Sequence, residues 1–235
     1  MPLMFNKRRF AVLLIALATL FAGESYAIAD NPPRKILTGW IPYYSKTGLS
    51  SAVTNADIIS EVSPFWYSLT SETKIVDQYA LGNPSVPISV PISTLRSMNF
   101  KIIPTITDGT GKGALAKLLA IDASRASIIQ NIISLINQNN YDGIDLDFEN
   151  FAFVDGNTTW PNTAPLWTQF IKELSTALHA QNKILSITSP VAFDPATGKK
   201  GYYVYSWPAI ASYIDRLRIM AYDYSITNPG PIGPI

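Results

Sequence analysis

Tyr141-Asp142-Gly143-Ile144-Asp145-Leu146-Asp147-Phe148-Glu149-Asn150 is the stretch that decides how this chain folds and where its chemistry lies. Ile144, Leu146 and Phe148 alternate with Asp145, Asp147 and Glu149. Successive side chains of a β-strand point to opposite faces, so three apolar groups share one face and three acids the other. The apolar face would pack on helices. Three carboxylates on the inward face of a parallel strand repel one another and lose hydration, a cost offset only by protons, hydrogen bonds or a metal. Burial of that kind usually marks function. A calcium loop is one competing reading, but such a loop places oxygen ligands at alternate positions around a glycine turn, without three large apolar residues between them. A purely structural acid cluster is the other.

Outward from this stretch the chain alternates strand-like and helix-like segments. β-rich runs cover residues 36–44, 58–69, 101–107, 141–149, 184–191 and 216–224. Between them, Ile128, Ile129, Ile132, Ile133 and Ile136 recur at helical spacing after an Asp122 or Ser124 start signal. A second stripe, Leu166, Phe170, Leu174 and Leu178, is expected to begin near Thr163 with Pro165 in its first turn, where proline is tolerated. Asn139-Asn140 and Gln181-Asn182 terminate the two helices. Strand, helix, strand order requires long connections between parallel neighbours, which puts the chain in the α/β class.

The whole chain has 235 residues, 47% of them hydrophobic, with 18 basic and 17 acidic residues and a net charge of +1. That length suffices for a packed core, and the near balance of charge leaves no field to hold nucleic acid or an anionic membrane. With no cysteine, disulfides, thiolate catalysis and Cys-ligated zinc are excluded. Lys7, Arg8 and Arg9 precede an apolar run over residues 10–22, and small residues follow around Ala27 and Ala29. This is the layout of a secretory signal peptide over residues 1–29, cut after Ala27 or Ala29, and the run is short for a membrane span of roughly 20 residues. The mature part, residues 30–235, is then expected in a bacterial envelope or outside the cell, without a stable membrane anchor once the signal is cut. No internal repeat or linker divides it.

The acid stretch resembles the D-G-x-D-x-D-x-E signature of glycoside hydrolase family 18, the chitinases and related N-acetylglucosaminidases, at Asp142, Gly143, Asp145, Asp147 and Glu149. Met220-Ala221-Tyr222-Asp223 resembles that family's M-x-Y-D, and Gly39-Trp40-Ile41-Pro42-Tyr43-Tyr44 resembles its first strand. The resemblance implies a (β/α)8 TIM barrel, here incomplete with about six β/α units, since the sequence ends soon after the sixth strand. It departs from the family at the third strand, where Asp108-Gly109-Thr110-Gly111 replaces S-x-G-G and leaves Thr105 or Thr107 as the hydroxyl supporting Asp145. It also implies roles: Glu149 as the acid, Asp147 orienting the substrate's 2-acetamido group, Asp145 sharing a proton with Asp147, Tyr222 donating to the acetamido oxygen, and Asp223 with Met220 at the sugar. Asp142 and Gly143 support the strand. No cofactor or metal is implied.

The residues themselves allow that chemistry. A glycosidase needs an acid for the departing oxygen and a group to stabilise an oxocarbenium-like centre. Glu149 stands at the carboxyl end of its strand, where the active sites of such barrels lie, and negative neighbours are expected to push its pKa upward. Asp147 and Glu149, two residues apart on one strand, lie on one side of a sugar and do not suit an acid with an opposing nucleophile. The resemblance assigns the attack to the substrate's own acetamido oxygen. Trp40, Tyr43, Tyr44, Phe65, Trp66, Tyr67, Trp160 and Trp207 offer faces that can stack on sugar rings or simply fill a core, with Tyr43, Tyr44 and Trp66 the best placed for sugar, and His179 is expected at a helix end without a catalytic partner. The expected partner is an N-acetylglucosamine-containing polysaccharide, chitin or the glycan of peptidoglycan. A non-catalytic glycan-binding relative and a secreted interaction protein are the alternatives. With two barrel strands absent, the 235-residue chain by itself is expected to be poorly soluble or dimerised and nearly inactive.

Overall fold

The computed structural model describes residues 35–192 and 201–221. The signal peptide expected over residues 1–29, and the end of the sixth expected strand from Tyr222 onward, lie outside the described residues. β1 (Thr38–Pro42) and α1 (Gly48–Thr54) are followed by β2 (Glu61–Ser71), β3 (Lys74–Asp77), α2 (Tyr79–Gly82) and α3 (Ser89–Ser97). β4 (Lys101–Ile102) and β5 (Thr105–Asp108) precede α4 (Ala114–Leu119) and α5 (Asp122–Asn139). β6 (Gly143–Asp147), α6 (Asn150–Phe153) and α7 (Trp160–His179) come next, then β7 (Ile184–Ser189), α8 (Trp207–Ile210) and β8 (Arg216–Ile219).

The strands pair in the order β1-β2-β5-β6-β7-β8, every neighbour parallel. The sheet is strongly curled, because Arg216 on β8 reaches Glu61 on β2 at 2.9 Å across three intervening strands. These six strands with their outer helices are an incomplete TIM barrel, as expected. Two details differ from the sequence reading. The third expected strand is broken into β4 and β5 at Ile103-Pro104, because proline has no N–H for the ladder, although its carbonyl still accepts from the Asp145 N–H at 2.9 Å. β3, not expected at all, folds back antiparallel on the long β2.

The two expected helices form. In α5, Ile128, Ile129, Ile132 and Ile136 are buried, and the helix stops where Asn140 takes a left-handed φ of 51°. α7 begins at Trp160, three residues before the expected start, with Pro161 in the first turn and Pro165 inside the helix. The Trp160 indole donates to the Phe151 carbonyl at 2.9 Å and fixes that early start. Trp167, Phe170, Ile171 and Leu174 of α7 are buried, and Trp167 and Phe170 meet the outward Phe148 at 6.0 and 6.5 Å between ring centres. The apolar half of the acid strand thus packs on a helix, which leaves its acid half to face the barrel interior. At Gly143 a Cβ would lie 2.2 Å from the Ile184 carbonyl oxygen, so close pairing of β6 with β7 requires glycine there. Among the described residues no helix is long and apolar enough to cross a membrane.

Candidate active site

Register brings the acids together with their partners. Asp145 lies opposite Thr105 on β5 and Ser186 on β7, and Asp147 opposite Thr107. Asp145 is fully buried. Its Oδ2 accepts from Thr105 Oγ1 at 2.8 Å, and Thr188 Oγ1 lies 3.1 Å from Oδ2 and 3.2 Å from Oδ1. Of the two hydroxyls the sequence offered as its support, Thr105 fills the role, while Thr107 Oγ1 donates to the Tyr67 carbonyl at 3.3 Å. The Arg218 guanidinium stands 3.6 Å from Asp145 Oδ2.

Asp147, one step nearer the carboxyl end, is buried and hydrogen-bonded to Glu149. Its Oδ1 is buried without a partner. Burial above all, then the charges of Glu149 and Asp145, pushes the Asp147 carboxyl up to about 8. The hydrogen-bonded Asp147–Glu149 pair therefore retains a proton at neutral pH. Tyr205 closes the end of the strand from behind, its hydroxyl donating to the Phe148 carbonyl at 2.8 Å. Burial and the neighbouring Glu149 and Asp147 hold that phenol neutral.

Asp147 and Glu149 line a cleft of about 430 Å³, with Trp40, Tyr44, Phe65 and Met220 also in its walls. Asp108 is an acidic cleft residue that the sequence reading missed as a site group. Thr110 satisfies its Oδ1 through N–H and hydroxyl at 2.9 and 2.7 Å, while its Oδ2 is shielded from water and unpartnered. Burial is the main cause of its raised pKa. Among the described residues, no basic side chain lines this cleft. Nor is any group of three or more His, Cys, Asp or Glu arranged to hold a metal ion.

The other expected site residues separate. Tyr44 and Met220 reach the cleft. Tyr43 stands outside it, packed partly against the core, with its ring edge-on to Tyr44. Trp66 is buried against Tyr79, because alternation along β2 turns Phe65 inward and Trp66 toward the helices. Asp142 is a strand staple: its Oδ2 accepts from the Ile102 N–H at 2.8 Å and its carbonyl from the Ile184 N–H at 2.9 Å. Tyr222 and Asp223 lie outside the described residues. His179 does end a helix, but it has partners the sequence did not reveal, Ser175 Oγ at 3.2 Å and Asp215 Oδ2 at 2.9 Å.

Toward the amino ends of the strands lies a second polar group. Arg216 Nη2 donates to Glu61 Oε1 at 2.9 Å. Arg218 donates through Nη1 to Ser63 Oγ at 2.5 Å and through Nη2 to Thr38 Oγ1 at 3.1 Å, and its guanidinium carbon lies 5.5 Å from the centre of the Trp40 ring. The sequence did carry a signal for these arginines: Arg216, Arg218 and Met220 alternate with Leu217 and Ile219, which puts them on one face of β8.

Residues 89–235 match the family model described as glycosyl hydrolases family 18. The chain is 24% identical over 234 residues to a Bacillus subtilis (strain 168) protein named "Putative sporulation-specific glycosylase YdhD", covering 95% of this chain and 48% of that protein. It superposes on a chitinase from Chromobacterium violaceum with a TM-score of 0.65 at 20% identity, covering 83% of this chain and 59% of that one. Against the spore cortex-lytic enzyme SleL of Bacillus megaterium the TM-score is 0.63 at 14% identity, covering 86% of this chain and 46% of that one. The chain thus spans about half the length of these relatives. With the family model matching well over half of it, and with the fold and the acid strand in the expected places, the chain belongs to glycosyl hydrolases family 18.

Proposed function

We propose that this chain carries the catalytic acids of an exported glycosidase that cleaves β-1,4 bonds after N-acetylglucosamine, with retention, through an oxazolinium intermediate. The observation that carries the proposal is the hydrogen-bonded Asp147–Glu149 pair at the carboxyl end of β6, in the wall of the cleft. Glu149 protonates the leaving oxygen. The substrate's acetamido oxygen attacks the anomeric carbon from the other face, since no carboxyl two residues along the same strand can do so, and this family is a recognised exception to the two-carboxylate scheme. With the pair's proton on Glu149, the ionised Asp147 turns to the acetamido N–H and stabilises the charge that develops there, with Asp145 behind it. Tyr222 donates to the acetamido oxygen, and Asp223 with Met220 binds the sugar. Water then opens the oxazolinium ion with Glu149 as base.

The substrate is a polymer with N-acetylglucosamine on the non-reducing side of the cut bond. Chitin, chito-oligosaccharides and the peptidoglycan glycan all meet that requirement. The test is release of reducing ends from chito-oligosaccharides and from peptidoglycan, each compared with its de-N-acetylated form. Cleavage is expected only where the acetamido group is present. Efficient cleavage of fully deacetylated chitosan or of cellulose would overturn the mechanism, and binding without turnover would replace the enzyme by a lectin. Export is tested by the N-terminus of the mature protein, expected directly after Ala27 or Ala29.

A further inference from the structure

We propose that Arg218 is a positioning residue for the acid trio: from β8 it supplies the countercharge of Asp145 and thereby keeps the trio's mobile proton on Asp147, beside Glu149. The activity readouts of this proposal rest on the function proposed above; its titration readout does not.

The two interior arginines are differently engaged. Arg216 meets Glu61 with Nη2 at 2.9 Å and Nε at 3.4 Å, so its charge is matched by a carboxylate. Arg218 gives its short hydrogen bonds to neutral hydroxyls, Ser63 and Thr38, and the carboxylate in its reach is Asp145 at 3.6 Å. Those two hydroxyls and the Trp40 ring fix the guanidinium in place. Its side chain is only 8% exposed, so water screens the interaction little.

The groups around Asp145 then decide where the proton rests. From β5 and β7 it faces Thr105 and Thr188, and from β8 it faces Arg218. From its own strand come Asp147 and, beyond that, Glu149. Toward the amino ends lies the Glu61–Arg216 pair, and Asp108 stands in the cleft above. Arg218 is the unmatched cation among these. A guanidinium is a cation that can only donate, so it favours an acceptor at Asp145 Oδ2, to which the Thr105 and Thr188 hydroxyls also donate. Asp147 has the opposite surroundings, a carboxyl neighbour that can accept a hydrogen bond and an Oδ1 with no partner. The cation thus sorts two neighbouring carboxyls on one strand into an acceptor and a donor.

The test follows carboxyl-carbon NMR signals of Asp145 and Asp147 with pH, alongside pH–rate profiles on a chito-oligosaccharide, in the parent protein, Arg218→Met and Arg218→Lys. In the parent, the high-pH titration step is expected on Asp147 and not on Asp145. A step of equal size on both, or one on Asp145, would overturn the proposal without any variant. In Arg218→Met, losing the cation should move the trio's titration and the pH–rate profile upward by about one unit, and part of the high-pH step should appear on Asp145. kcat should fall more than KM changes, and Arg218→Lys should return the profile toward the parent. A folded Arg218→Met with parental titration and profile, or an Arg218→Lys that behaves as Arg218→Met, would reduce Arg218 to a packing role. If the parent shows no turnover even when extended to a complete barrel, the function proposed above fails while the titration still judges this proposal.

Discussion

The interior of the barrel holds charge at two levels, and the two are built on opposite principles. At the amino ends of the strands an acid meets a cation: Glu61 is buried, and Arg216 answers it at 2.9 Å. At the carboxyl ends Asp108, Asp147 and Glu149 line one cleft, with no basic side chain among its described lining residues. A buried charge is tolerated when paired, which explains the first level as structure. Acids gathered without cations raise one another's pKa values and cost stability, and the second level keeps them beside an open cleft, the usual mark of acid–base chemistry. Arg218 stands between the levels.

Replacing an acid at each level separates these principles. The largest effect is expected from Glu149→Gln in a complete barrel, which should lower turnover about 10²-fold or more while sugar binding largely survives. Near-parental turnover would remove Glu149 from the chemistry and dissolve the contrast. Asp147→Asn should also harm kcat more than binding, and should change how stability depends on pH. The folded state holds a proton on Asp147 up to about pH 8, whereas the unfolded carboxyl releases it near its ordinary value of 3.8. The contribution of Asp147 to stability is therefore greatest at acid pH and is lost as pH rises through that window, by at most about 1.4 kcal/mol per pH unit. Urea unfolding across the window should show a flatter profile for Asp147→Asn, and an unchanged slope would mean that Asp147 is already ionised in the folded protein.

The lower level should respond the other way. Glu61→Gln leaves Arg216 without its carboxylate, and because that arginine is 29% exposed the loss should be about 2 kcal/mol, less than for a fully buried pair. Unfolding measurements should register it, while the shape of the pH–rate profile stays put. A moved profile would show that the two levels are not separate. The smallest effect is expected at His179→Ala, on the outside of the barrel. Its hydrogen bond with Asp215 is partly exposed, and Asp215 retains the Leu185 N–H at 2.8 Å, so the stability change should be below about 1 kcal/mol. Any loss of turnover there would reveal a link between the outer surface and the cleft.

The upper level was far more legible in the sequence than the lower one. Alternation over residues 144–149 set the faces of β6, and the isoleucine stripe set the buried side of α5, because strand and helix periods are local properties of the chain. Partnerships between distant segments leave no such trace. Glu61 lay inside an expected strand and Arg216 at the start of another, but nothing local says that the two meet. Trp66 was ranked above Phe65 because residues 64–67 form a continuous apolar run in which parity is ambiguous, and the register shift between Phe65 and Tyr67 disturbs it further. Pro104 is a local signal that could have placed the break between β4 and β5. Asp108 escaped notice because its role depends on the curl of the sheet, which brings a strand-end side chain into the cleft.

The arginine contacts also bear on the order in which the molecule assembles. The Glu61–Arg216 pair joins residues 155 apart in the chain, and the Thr38–Arg218 hydrogen bond joins residues 180 apart. Closing loops of that size carries a large entropic cost until the intervening strands have aligned, so these contacts belong late in folding, after β2, β5, β6 and β7 have come together. Interactions absent from the transition state act chiefly on the unfolding rate. On a ribosome β8 is also the last described strand to emerge, so the acids of β6 spend the early life of the chain without Arg218 beside them.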